Sequence, residues 1–200
     1  MSYPTLRLHP RKEESVLRFH PWIFSGAIAS FSAPVEDGDL VSVVDSKGRP
    51  LGTGHFGGGS IAVRLLSFDA EEVIDRAFYK RRLEAALRLR LSCDLVRPFG
   101  SSDSPNTTYR LVHGEGDSLP GLIIDIYDRT AVVQAHSLGM HQARQTIAEV
   151  LWEVFAEAGD PVLPLEGIYY KSETTLPTRD MRELASDGFL IGHTEAAPIY

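Results

Sequence analysis

Arg18-Phe19-His20-Pro21-Trp22 sets a guanidinium, an imidazole and an indole within five positions. That set can stack on unpaired RNA bases and hydrogen-bond to their edges while the arginine meets phosphate. The opposing reading makes Trp22 and Phe24 core anchors, and residue types alone weigh the two evenly. Other reactive groups point to architecture. The seven histidines (His9, His20, His55, His113, His136, His141, His193) are dispersed and form no HExxH pair, so no metal site is expected. Cys93, the one cysteine, can form neither an internal disulfide nor, alone, a thiolate metal centre; near a helix end without an evident base it reads as a packed thiol. His113-Gly114-Glu115-Gly116-Asp117 offers an imidazole and two carboxylates, but alternation with glycine favours a turn whose carboxylates accept backbone N–H bonds. Ser118-Leu119-Pro120-Gly121 has Pro and Gly where a type II turn wants them. Gly52-Thr53-Gly54-His55-Phe56-Gly57 satisfies GxGxxG, yet a β-rich run follows where a phosphate-binding turn would open a helix, so a tight turn or bulge is expected instead. No nucleophile elbow supports a serine triad.

These residues need elements to hold them. Leu40 to Val44, Leu51 to Phe56 and Ser60 to Phe68 read as short strands around Asp45-Ser46-Lys47-Gly48 and a glycine cluster, a small all-β unit. Within Ile61 to Leu66 the period of two is blurred, as when both faces of a small barrel strand are covered, and Arg64 there needs a partner or a route to solvent. Asp69-Ala70-Glu71-Glu72 has the form of a helix start, predicting about five turns with acids early and bases later, among them Lys80, Arg81 and Arg82. A solvated linker helix is the plainer account of that charge pattern. Arg97 to Thr108 reads as the flexible connection. Tyr109 to Val112 opens a second unit, Leu122 to Tyr127 and Ala131 to Ala135 form a hairpin, and Ala143, Ile147, Val150, Leu151, Val154 and Ala158 share one helical face before Gly159. Gly167 to Tyr170 reads as a strand, Thr174 to Asp187 as irregular, and the apolar ending Ala197 to Tyr200 as a cut chain.

Charge divides along the sequence. Residues 1–100 hold 14 Lys/Arg against 12 Asp/Glu, and residues 101–200 hold 6 against 15, net +2 and −9. An anionic partner is therefore expected at the first half. No apolar run reaches the ~18 residues of a membrane span, and the first ten residues carry no signal-type segment, which predicts a cytoplasmic protein.

Three local signatures resemble one family, the RlmI-type bacterial 23S rRNA (cytosine-C5) methyltransferases. They are Arg18-x-His20-Pro21-Trp22-Ile23-Phe24-x-Gly26-Ala27-Ile28; Asp45-x-x-Gly48-x-x-Leu51-Gly52-x-Gly54 with Ser60-Ile61-x-Val63-Arg64; and Tyr109-Arg110-Leu111-Val112-x-Gly114-Glu115-x-Asp117-x-Leu119-Pro120-Gly121-Leu122-Ile123-x-Asp125. The resemblance implies an α+β fold: a PUA-like β pseudo-barrel over residues 1–70, a helix and linker over 71–104, and a central α/β domain over 105–200 with a β-hairpin and one long packed helix. It implies that the S-adenosylmethionine-binding Rossmann-like domain, with the catalytic cysteines, lies outside these 200 residues, and that Cys93 is not a family nucleophile. The complete protein would methylate cytosine C5 through a cysteine thiolate added to C6, using S-adenosylmethionine. This chain alone is then expected to hold 23S-type ribosomal RNA without catalysis, with Arg18, His20, Trp22, Lys47, Arg49 and Arg64 as contacts and Lys80, Arg81 and Arg82 as electrostatic support. No cofactor is expected in the chain itself, and a homodimer is admitted as a further association. The rival reading is a protein-interaction scaffold with a PUA-like fold and an acidic docking half; a small hydrolase using Glu115 and Asp117 is third.

Overall fold

The computed structural model describes residues 3–97, 106–177 and 186–193. Most of the expected linker, the middle of the irregular stretch from Thr174 to Asp187 and the apolar ending lie outside the described residues. The elements run β1 (Thr5–Leu8), α1 (Glu14–Leu17), β2 (Trp22–Phe24), β3 (Ile28–Phe31), β4 (Leu40–Val44), β5 (Pro50–Phe56), β6 (Ile61–Ser67), α2 (Arg76–Ser92), β7 (Thr108–His113), β8 (Leu122–Tyr127), β9 (Thr130–Ala135), α3 (Leu138–Gln142), α4 (Arg144–Ala158), β10 (Gly167–Tyr170) and β11 (Gly188–Gly192). They divide into two units, residues 1–74 with 137–142 and residues 75–136 with 143–200.

The first unit is a six-stranded sheet in the order β2-β6-β5-β4-β1-β3, antiparallel except where β1 runs parallel to β4. A three-residue 3₁₀ turn, Ser25–Ala27, joins β2 to β3, the two outermost strands. Laid flat, those edges would stand about 24 Å apart at ~4.8 Å per spacing. A link from Phe24 to Ile28 reaches only roughly 14 Å, so the sheet must curl on itself. Leu6, Leu8, Val16, Ile23, Val41, Val43, Leu51, Val63 and Leu65 fill the interior. On β6, Ala62 and Leu66 are buried as well as Val63 and Leu65, which is why its period of two is blurred. Tight strand approach is bought with glycine on β5: a Cβ at Gly54 would stand 2.2 Å from the Arg64 carbonyl oxygen, and one at Gly52 2.3 Å from that of Ser67.

The second unit is a five-stranded sheet in the order β11-β10-β9-β8-β7, with β10 parallel to β9 and the other pairings antiparallel. On β8 the alternation is clean: Leu122, Ile124 and Ile126 are buried and Ile123, Asp125 and Tyr127 less so. Ile147, Val150, Leu151, Val154 and Phe155 of α4 are buried, and Gly159 ends that helix at positive φ. The Leu122 N–H donates to the Leu119 carbonyl across Pro120 and Gly121, whose φ is +84°, the expected type II geometry.

Two expectations are corrected. The long helix starts at Arg76, not after Asp69: Asp75 is its N-cap and accepts from the Phe78 N–H, while Asp69 turns locally onto the Glu71 N–H. Cys93 is exposed rather than packed, because it is the C-cap residue that ends α2, past Arg90, the last buried position of that helix.

Candidate nucleic-acid interface

The short α1 places the first group. Its last turn passes directly to Arg18, Phe19 and His20, with the His20 N–H donating to the Ser15 carbonyl. Arg18 is exposed, with Glu14 4.0 Å away. His20 Nδ1 accepts from the Trp22 N–H, and the two rings meet edge to face at 5.7 Å between centroids. Trp22 is half-buried and belongs neither wholly to core nor to solvent, whereas its neighbour Ile23 is interior. Register continues this row across the sheet: Trp22 stands opposite Arg64, and Arg64 opposite His55. Arg64 is half-buried. His55 is almost wholly buried, its Nδ1 has no hydrogen-bond partner, and the Gly139 backbone of α3 lies on its ring, where a Cβ would stand 2.2 Å from Cγ. Burial, with the Arg64 charge behind it, lowers its pKa to about 4.

The second group is the turn between β4 and β5. Asp45 is buried, and its carboxylate accepts from the Lys47 and Arg49 N–H groups and from Arg49 Nε at 2.6 Å. Burial works to raise that carboxyl, but the bonds from Arg49 and Lys47 outweigh it and hold the pKa below the ordinary value. Arg7 donates to the Ser46 carbonyl from below. The turn is thus fixed by one carboxylate, leaving the Lys47 side chain in water while Arg49 is partly committed to Asp45.

Lys80, Arg81 and Arg82 sit on α2, in the second unit. Lys80 binds Glu157, whose hydrogen bond raises its pKa, and Arg82 lies over the Phe78 ring at 5.0 Å; Arg81 is exposed. Beside them Arg76 pairs with Glu149 and Glu153, so α2 and α4 are laced by charge. The structure brings His20, Trp22 and Arg64 together, and Lys47 with Arg49, within the first unit, while Arg18, two residues before His20, is turned toward Glu14.

Sequence reasoning missed Phe19 and Phe24. Phe19 is 74% exposed at φ +62°, a conformation unfavourable to a bulky side chain, and its ring meets Phe68 edge to face. Nothing in the sequence marks a phenylalanine for that backbone. Phe24 is 53% exposed on an edge strand and could have been found by asking which of Trp22, Ile23 and Phe24 a period of two sends outward.

Glu115 and Asp117 do not form a reactive pair. Asp117 is buried against Arg90, with Arg90 Nη2 at 2.8 Å from Oδ2 and a second bond from Nη1, and it also accepts from the His113 N–H. Arg90 further donates to the Arg110 carbonyl. The carboxylate therefore locks the turn Gly114–Asp117 to α2. The residues of the GxGxxG run do not suit S-adenosylmethionine either, since Gly52 and Gly54 have strand backbone where a cofactor would need to approach. Among the described residues, no helix is long and apolar enough to cross a membrane.

A PUA-like domain model matches residues 6–68. The ribosomal RNA large subunit methyltransferase I of Klebsiella pneumoniae is 33% identical over 196 residues, covering 98% of this chain and 45% of that protein. The protein of the same name from Shewanella amazonensis is 36% identical over 195 residues, 97% of this chain and 45% of its own. Among solved structures, a chain from Streptococcus mutans assigned as a SAM-dependent methyltransferase superposes with a TM-score of 0.72 at 18% identity, over 98% of this chain and 44% of that one. Another, a methyltransferase-assigned chain complexed with SAH, gives 0.70 at 18% identity over 99% and 44%. These two likenesses concern fold. The chain spans about 45% of the length of the curated relatives it matches. By sequence, nearly the whole chain is similar to a part of the RlmI-type ribosomal RNA large subunit methyltransferases, and residues 6–68 within it match a PUA-like domain.

Proposed function

We propose that this chain is the RNA-recognition portion of an S-adenosylmethionine-dependent rRNA (cytosine-C5) methyltransferase, holding structured ribosomal RNA through its first unit. The observation that carries the reading is the row formed by His20 against Trp22 and Trp22 opposite Arg64 in a PUA-like unit, with the exposed Arg18 two residues before His20, in a chain whose relatives are named for ribosomal RNA methylation. Lys47 adds a cation on a turn preorganised by Asp45, so its ammonium can meet phosphate without ordering a loop. Methyl transfer to C5 is assigned to the longer protein, and no step of it is derived from these residues. The scaffold reading draws less support, because Glu149, Glu153 and Glu157 already face Arg76 and Lys80.

Fluorescence anisotropy of the chain with fragments of 23S rRNA over a salt series tests this reading. Saturable binding that prefers one fragment and weakens with salt is expected, with Arg18→Ala and Lys47→Ala each reducing the salt slope by about one. Absence of saturable binding, or binding indifferent to both substitutions, would reject it.

A further inference from the structure

A second feature of the first unit is concave. An open cleft of about 250 Å³ is lined by Lys12, Ser15, Ile23, Phe24, Gly26 and Ala27, contributed by the segment entering α1, by α1 itself, by β2 and by the 3₁₀ turn after it. Its size falls below the ~300–1,000 Å³ of sites for drug-sized ligands, so it suits one nucleobase rather than a dinucleotide. The wall is apolar: Ile23 is interior, while the Phe24 ring remains accessible on an edge strand and takes no part in the packed interior. Two residues with polar side chains, Lys12 and Ser15, both exposed, line it together with Phe24. Of the nearby carboxylates, Glu14 is turned toward Arg18, and the charge of Glu13 acts on Arg49.

An accessible aromatic face next to a cation is the pair of groups that a single-stranded nucleotide requires, stacking for the base and charge for the phosphate. A hydroxyl at the same site can bond the ribose 2′-OH, a group DNA lacks. We propose that the cleft receives one unpaired ribonucleotide of RNA, its base on Phe24, its phosphate toward Lys12 and its sugar toward Ser15. This rests on the reading of the first unit as RNA-recognising and adds to it a defined pocket, a stacking residue and a preference for RNA over DNA. Splaying one base out of a loop into the cleft would also fix the register of the bound strand, which phosphate contacts alone leave loose.

Two substitutions separate the pocket from the surface around it. Phe24→Ala removes the stack from a side chain already in water. Gly26→Leu fills the cleft from its rim, since a Cβ at Gly26 would meet no atom within 4 Å. The isotopically labelled chain is titrated with a single-stranded RNA pentamer and with DNA of the same sequence, reading backbone amide shifts and affinity. Expected are shifts at Ser15, Gly26 and Ala27, weaker binding of the DNA, and a loss of roughly tenfold or more in each variant, the weight of one base–aromatic stack. Thermal melts check that both variants fold; Lys12→Met replaces either one that does not, with the same loss expected. Binding whose shifts are confined to Arg18, His20, Lys47 and Arg49, with the variants neutral, would overturn the pocket and leave RNA recognition standing. No binding of the pentamer or of 23S rRNA fragments by the unaltered chain would overturn both.

Discussion

His55 is held neutral by its surroundings. Its ring lies under the Gly139 backbone with one nitrogen unbonded, and its pKa falls from 6.5 to about 4. The unfolded chain therefore binds a proton that the folded chain refuses. Stability tied to this residue is whole above pH 6.5, begins to fall as the pH drops through that value and is fully lost near pH 4. At pH 5 the loss relative to pH 8 amounts to about 2 kcal/mol. Urea unfolding at both values should show it in the unaltered chain and not in His55→Phe, which keeps a ring against Gly139; equal pH dependence in the two would refute the assignment. No sequence feature revealed this residue, because the segment that covers it lies more than eighty positions away. Asp117 was easier to read. Its alternation with glycine predicted a turn, and the structure adds only that Arg90 is its partner. Cys93 misled because a thiol near a helix end without an evident base reads as packed, yet its neighbours Leu89 and Leu95 are exposed as well.

Among the elements, those that announce themselves by period were legible and those set by pairing were not. Leu40–Val44, Leu122–Tyr127 and Gly167–Tyr170 stand where their patterns put them. β1, β2 and β3 have only three or four residues each, too few to establish a period, and exist because β6, β4 and each other supply their hydrogen bonds. The start of α2 illustrates a local ambiguity: Asp69 and Asp75 both suit an N-cap, and the choice falls to Asp75 because Ile74 between them is buried before the helix begins. The GxGxxG run lies on β5, in strand backbone rather than in a turn that opens a helix. Gly54→Ala should destabilise the first unit by about 1–3 kcal/mol, the usual range for overpacking, because the clashing atom is backbone and cannot swing aside. Gly26→Ala, with open space around it, should be nearly silent in the same denaturation experiment. Equal stability of the two variants would mean that β5 and β6 can separate without cost.

At the scale of the molecule, charge divides differently in space than along the chain. Residues 1–74 and 137–142 together carry seven Lys/Arg against nine Asp/Glu, a net of −2. The surplus of the first hundred residues comes from α2, which folds with the second unit. The RNA recognition proposed for the first unit would therefore depend on where its cations stand, at either end of α1 and on the Asp45 turn, rather than on total charge. A fragment of residues 1–74 probes its integrity: without 137–142 the His55 imidazole should titrate near its ordinary 6.5 by NMR, and the fragment should unfold at lower urea than the full chain. An unchanged pKa of about 4 would show that α3 is not what buries the ring.

That small helix also bears on how such a protein can be cut and recombined. Six residues from the middle of the chain complete a unit whose other members all precede residue 75, so the barrel is discontinuous in sequence. No single break yields it intact. A graft of the barrel onto another protein, or its deletion from this one, would have to carry Gly139 and its neighbours along or supply another cover for the imidazole. Homologous exchange at position 74 alone would pair a sheet with a foreign cap, and a side chain in place of Gly139 would be enough to keep the two from closing.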